Sequence, residues 1–184
     1  MTTELREVKN LFPAGTDVLI VPNPTKSVLP HLPRCQFVHF SCHGYTSADH
    51  PSQSRLLLED WQTIPLTVSD LTQQQIEPPQ FAYLSACHTP RAKDIKLLDK
   101  SITLSLAVHL AGYPSVVGTL WQVSDSYSPQ AAKAVYDWIL RGAGKELVDA
   151  SRAAEVLHRA VRELQSNTRS VPIFSKKVTS DPLI

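Results

Sequence analysis

The sequence has little of what marks several large classes of protein. The formal net charge is only +1 over 184 residues, so the chain has no basic field to attract nucleic acid or anionic lipid. No apolar run approaches the ~20 residues of a membrane-spanning helix, and no charged-then-apolar signal stands at the N-terminus. We therefore expect a cytoplasmic protein with neither a nucleic-acid nor a membrane partner.

Cysteine is also scarce, with three residues in the chain. An odd number this small does not build a disulfide framework and favours a reducing compartment, where a thiol keeps its chemistry. The sequence contains no Gly-rich phosphate loop, and Ser85 lacks the Gly-x-Ser-x-Gly frame of a serine hydrolase. We predict no cofactor.

Apolar runs that alternate with helical patterns indicate the fold. We predict buried strands at 17–21, 36–40, 81–86 and 115–121, a short hairpin strand at 56–58, and helices near 1–12, 101–111, 130–140 and 145–165. Strands that are apolar throughout are typical of parallel sheets covered on both faces. The prediction is a three-layer α/β/α sandwich with a mostly parallel sheet, one domain over residues 1–165 and an irregular tail over 166–184.

Reactive side chains follow two of these strands. Cys87 comes after the 81–86 run, and His43 and Gly44 come after the 36–40 run. Since the carboxyl ends of parallel strands share one edge of a sheet, His43 and Cys87 can meet there. An imidazole can take the proton of a thiol and later protonate a leaving amine. The backbone N–H groups of Gly44 and Cys87 could then form an oxyanion hole.

Other interpretations of these residues stay open at this point. A cysteine at a strand end is commonly a buried small hydrophobe, and a single histidine is commonly structural. His88 is adjacent to Cys87 and points to the opposite face, so it is not the expected base. Asp125, after the 115–121 strand, could select a basic substrate side chain.

A metal site is not predicted. Cys35, His39, Cys42 and His43 suggest zinc by composition, but the period of two in a strand puts His39 and Cys42 on opposite faces. Cys42 is interpreted as a core residue, and Gly118 as a position where a strand packs closely.

Several longer motifs resemble the CHAT domain, a caspase-like group of cysteine peptidases in the clan of caspases and separases. The matching runs keep their order over about residues 4–164: Phe37-Val38-His39-Phe40-Ser41-Cys42-His43-Gly44, Leu56-Leu57-Leu58-Glu59-Asp60, Leu66-Thr67-Val68-Ser69-Asp70-Leu71, Ala82-Tyr83-Leu84-Ser85-Ala86-Cys87-His88-Thr89 and Leu110 to Asp125. The resemblance implies a caspase-like α/β fold, a peptide or protein substrate, His43 as catalytic histidine and Cys87 as nucleophile. It also implies oxyanion contacts from the amides of Gly44 and Cys87, and a regulatory repeat or sensor domain outside this chain as a partner.

The sequence departs from the family pattern at both ends. The family has a strand before the first helix, inside the sheet between the strands that match 17–21 and 36–40, and we expect this strand to be missing here. After Val171-Pro172-Ile173-Phe174 the chain also diverges from the family's last, tryptophan-containing strand. The leading hypothesis is a cysteine endopeptidase, and the alternative is a catalytically silent CHAT-like interaction module or a fragment of a larger signalling protein. The oligomeric state is not predicted.

Overall fold

A computed structural model describes residues 3–47, 49–74, 81–85, 87–88, 98–118, 128–141 and 153–167. The described residues form the α-helices α1 (Thr3–Lys9), α2 (Val68–Thr72), α3 (Leu98–Leu110), α4 (Ser128–Arg141) and α5 (Ala153–Asn167). The strands are β1 (Phe37–Phe40), β2 (His43–Tyr45), β3 (Arg55–Leu57), β4 (Leu66–Thr67), β5 (Phe81–Leu84), β6 (Cys87–His88) and β7 (Ser115–Gly118). Two 3-10 helices cover Lys26–Arg34 and Pro51–Gln53.

The central sheet is parallel and has the order β1-β5-β7. A second sheet has the order β4-β3-β2-β6. It follows the carboxyl ends of two central strands, because β2 comes after β1 and β6 comes after β5 in the chain. In the second sheet, β2 and β6 are parallel, whereas β2, β3 and β4 form an antiparallel meander. The hairpin strand expected near 56–58 is therefore confirmed as β3.

Strand β5 is buried on both faces and separates two cores. Phe81 and Tyr83 pack into a cluster with residues of α1, α4 and α5. Ala82 and Leu84 pack into a second cluster, with residues of α2 and α3. Because successive side chains of a strand point to opposite faces, this alternation shows helices on both sides of the sheet. The predicted three-layer α/β/α sandwich is confirmed.

The strand predicted at 17–21 is not formed. These residues have no regular secondary structure, and Leu19 and Val21 are 67% and 40% exposed. Among the described residues, β1 pairs only with β5, so no strand lies between β1 and this segment to receive its hydrogen bonds. An apolar run becomes a strand only where a neighbour completes the ladder, and here the described structure provides none.

The start of α2 is fixed by a capping box between Thr67 and Asp70. Thr67 is the N-cap, and its Oγ1 accepts a hydrogen bond from the Asp70 N–H. The Asp70 carboxylate in turn accepts the Thr67 backbone N–H at 2.8 Å. This capping box lets the helix follow β4 without a linker.

Within the described parts of the chain, no helix combines the length and apolar character needed to cross a membrane.

Gly118, at the end of β7, lies where α3 crosses the sheet. A β-carbon placed on Gly118 would be 2.6 Å from Ser105 Oγ and 3.7 Å from Leu84 Cβ. The first of these distances is shorter than van der Waals contact, so the position requires glycine while Ser105 keeps its rotamer. The predicted packing role of Gly118 is confirmed.

We expect Gly118→Ala to lower the free energy of unfolding by about 1–3 kcal/mol, the usual effect of overpacking. Ser105→Ala removes the hydroxyl that the new methyl group would meet, so the double variant should recover part of the loss. Urea unfolding of the two single variants and the double variant measures this coupling. Additive effects of the two substitutions would show that the close approach at Gly118 does not exist.

Candidate active site

His43 and Cys87 are brought together by the register of two parallel strands. In the β2–β6 pair, His43 stands opposite Cys87 and Gly44 opposite His88. Neighbouring strands lie about 4.8 Å apart, so this is roughly the distance between the backbones at positions 43 and 87. The structure therefore places these two sequence-predicted residues side by side.

This pairing continues the register of the central sheet. Phe37 is opposite Phe81 and Phe40 opposite Leu84, and each partner lies 44 positions further along the chain, as Cys87 does from His43. The Ser85 N–H donates to the Phe40 carbonyl at 2.9 Å in the gap between the two ladders. No residue is inserted or lost in this gap, so the buried central ladder fixes the alignment of the site.

The neighbours of His43 define its surroundings. In β2, His43 and Tyr45 are exposed while Gly44 between them is buried, so His43 and Tyr45 share the outer face of the strand. Leu57 of β3 is opposite His43 on the other side of β2. Gly44 has Leu56 and His88 as its register partners. Asp125 lies outside the described residues.

A buried polar network lies behind this edge of the sheet and was missed by the sequence analysis. Glu4 of α1, only 5% exposed, has its Oε1 2.9 Å from His39 Nε2. Ser128 Oγ donates to Glu4 Oε2 at 2.9 Å and is 2.7 Å from Ser85 Oγ. The hydroxyl groups of Ser85 and Ser128 are thus linked to each other and to the Glu4 carboxylate. The network joins α1, β1, the end of β5 and the start of α4.

His39 is held by aromatic rings as well as by Glu4. Its ring stacks on Tyr83, with centroids 4.8 Å apart, and on Tyr136, with centroids 5.6 Å apart. Its Nδ1 is buried and has no hydrogen-bond partner among the described residues. Cys42, in contrast, packs against the other core cluster. His39 and Cys42 thus face opposite sides of the sheet, as predicted, and His39 belongs to the core.

A sequence signal for this network existed in α1. Glu4 stands four residues before Val8 and therefore lies on the apolar face of the helix, where an acid must find a partner. The identity of the partner was not readable, because His39, Ser85 and Ser128 are distant in sequence from Glu4 and from one another.

The protonation of Glu4 is tied to these contacts. Burial on its own would raise the pKa of Glu4, but the hydrogen bonds and charge interaction with His39 and the hydrogen bonds of Ser85 and Ser128 outweigh it, so the pKa is lowered. A carboxyl whose pKa is lower in the folded than in the unfolded chain stabilises the fold above its unfolded pKa. That contribution is lost as the pH falls through the folded value.

We expect Glu4→Ala to lower the free energy of unfolding by roughly 3 kcal/mol, because His39 and Ser128 lose their partner inside the protein. Glu4→Gln keeps the size and a hydrogen-bonding oxygen, and should cost less. Stability of the wild type should fall as the pH drops below the ordinary glutamate range, about pH 4.3. This part of the pH dependence should be absent in Glu4→Gln.

Chemical denaturation between pH 3 and 7 measures these differences, roughly across the range in which carboxyl groups titrate. Glu7→Gln is the matched control, since Glu7 lies on the same helix and is only partly buried. Identical pH profiles for Glu4→Gln and Glu7→Gln would contradict the role given to Glu4. Asp70 also has a lowered pKa, held down by Lys26 and Thr67 against burial, and it contributes equally to both profiles.

The described residues hold no group of three or more His, Cys, Asp or Glu side chains that could bind a metal ion. The site consists instead of one histidine, one cysteine and the strand backbones that align them.

Comparison with known proteins agrees with this architecture. The family model of the CHAT domain matches residues 1–178, nearly the whole sequence. The chain therefore belongs to the CHAT domain family, a caspase-like family. No curated protein matched the sequence.

Proposed function

We propose that this chain is a caspase-like cysteine endopeptidase that uses Cys87 as its nucleophile and His43 as its general acid and base. The observation that carries the proposal is the register of β2 and β6, in which His43 is directly opposite Cys87. The family membership supports it, because the CHAT domain family is caspase-like, and the resemblance of the sequence motifs implies His43 and Cys87 as the reactive pair.

In the proposed reaction, His43 takes the proton of the Cys87 thiol as the sulfur attacks the carbonyl carbon of a peptide bond. The oxyanion that forms would be bound by the backbone N–H groups of Gly44 and Cys87. His43 then gives its proton to the leaving amine, and the C–N bond breaks to leave a thioester on Cys87. Water, deprotonated by His43, hydrolyses the thioester and restores the thiol.

The surroundings of the histidine fit this role. Its exposure leaves it accessible to a substrate, in contrast to His39 four positions earlier, whose side chain is only 9% exposed. Asp125 remains a proposed contact for a basic substrate side chain.

An electrophilic peptide probe tests the proposal directly. It should label Cys87 in the wild-type chain under reducing conditions, and labelling should fall by at least about 100-fold in His43→Ala, since general acid–base catalysis is typically worth that factor. Intact-mass spectrometry with peptide mapping identifies the labelled residue. His158→Ala, which removes an exposed histidine on α5, is the matched control and should label as the wild type does.

Hydrolysis of a diverse peptide library gives the second readout. If the wild type and Cys87→Ala are equally inert and His43→Ala does not change labelling, the peptidase proposal fails. The chain would then fit the alternative of a catalytically silent interaction module of the same family.

A further inference from the structure

A second set of side chains shares the outer face of β2 with His43. Because Gly44 is buried, Tyr45 lies on the same face as His43, and Arg55 of β3 is directly opposite Tyr45. Leu56, between Arg55 and Leu57, is fully buried, so Arg55 and Leu57 are on that outer face too. The candidate site therefore continues from His43 across the hairpin to a cationic side chain.

The guanidinium of Arg55 is held in place by two aromatic rings. Its Cζ is 4.7 Å from the ring centroid of Tyr45 and 5.8 Å from that of Trp61. Contact with ring faces orients the planar group. Tyr45 itself is 44% exposed, so this arrangement stands at the surface and not in the core.

One hydrogen-bond donor of Arg55 is unused among the described residues. Its Nε is buried without a hydrogen-bond partner among the described residues. The ion pairs between described residues involve Lys26, His39 and Arg159, and none involves Arg55. Within the described structure no carboxylate balances the charge of this guanidinium, so an acidic ligand could supply one.

Another arginine of the chain combines contact with an aromatic ring and an ion pair with a carboxylate. Arg159 of α5 has its Cζ 5.3 Å from the ring centroid of Trp138, and its Nη2 is 2.7 Å from Glu155 Oε1. There the carboxylate is supplied by the same helix. At Arg55 the aromatic support is present and the described residues supply no carboxylate.

The distance from Cys87 fits a substrate side chain. With strands about 4.8 Å apart and a rise of about 3.3 Å per residue, the Cα of Arg55 lies roughly 12 Å from that of Cys87. An extended peptide covers about 3.3–3.6 Å per residue. The guanidinium would therefore reach a substrate residue about two or three positions from the reactive carbonyl.

We propose that Arg55, held between Tyr45 and Trp61, binds the carboxylate of an Asp or Glu side chain two or three residues from the bond that Cys87 attacks. The inference rests on the proposed function, because it names the substrate class of that site. It concerns an acidic side chain of the substrate, whereas the contact proposed for Asp125 is with a basic one.

Binding of peptides to the full chain carrying Cys87→Ala tests the proposal without turnover. The probes are fluorescent peptides in which one Asp is moved along an otherwise neutral sequence, each with a matched Asn peptide, and anisotropy gives the Kd. We expect one Asp position to bind about 10-fold more tightly than its Asn counterpart, the usual size of a charge-assisted hydrogen bond. Adding Arg55→Gln should remove this difference.

The controls separate charge recognition from loss of folding. Adding Arg159→Gln instead, which removes the other ring-stacked arginine, should leave the Asp preference unchanged. Arg55→Lys keeps the charge but not the planar fork, and should keep a reduced preference. The ratio of Asp to Asn affinity is measured within each variant, so a general loss of folded protein does not imitate the effect.

Equal affinities for every Asp and Asn pair, or a preference that survives Arg55→Gln, would overturn the role of Arg55. A failure of the peptidase proposal would give a different experimental result. In that case no electrophilic probe labels Cys87, whatever the peptides show. An Asp preference that depends on Arg55 without any labelling would assign an acidic peptide ligand to a silent module.

Discussion

The parallel ladder between β1 and β5 is the constraint on which the rest of the structure depends. Each residue of β1 has its partner 44 positions further along the chain, and the same offset returns in β2 and β6. Because β5 is buried on both faces, a slip of one residue would move its aromatic side chains into the wrong core. The packing of the core therefore also decides which residue stands opposite His43.

The buried network around Glu4 connects this ladder to the helices. Glu4 comes from α1, His39 from β1, Ser85 from the end of β5 and Ser128 from the start of α4. Buried polar groups that satisfy one another permit few alternative arrangements, so these elements are held in one relative position. Ser85 stands two residues before Cys87, so the network holds the chain in place close to the candidate site.

Much of this architecture was predictable from the sequence, for identifiable physical reasons. The apolar runs of β1, β5 and β7 form paired strands, and the residues after β1 and β5 predicted where His43 and Cys87 would meet. The run at 17–21 has a similar apolar composition, but no strand pairs with it in the described structure. Composition alone does not tell whether such a neighbouring strand exists.

The contacts that the sequence did not reveal are those between residues far apart in the chain. Glu4 and Ser128 are 124 positions apart, and no local pattern connects them. Arg55 was not singled out, because the predicted hairpin strand began at residue 56. Its position on the His43 face depends on the register of β3 against β2, which the spacing of apolar residues does not determine.

The most direct test of the account is a disulfide between the two register positions of the site. With Cys35 and Cys42 replaced by serine and alanine, His43→Cys should form a disulfide with Cys87 under mild oxidation. Adjacent strand positions are about 4.8 Å apart, within the Cα separation that disulfides accept. Mass spectrometry should show this cross-link, and Tyr45→Cys, two positions along β2, should show far less. No cross-link from His43→Cys, or one as efficient from Tyr45→Cys, would contradict the register on which the proposed active site rests.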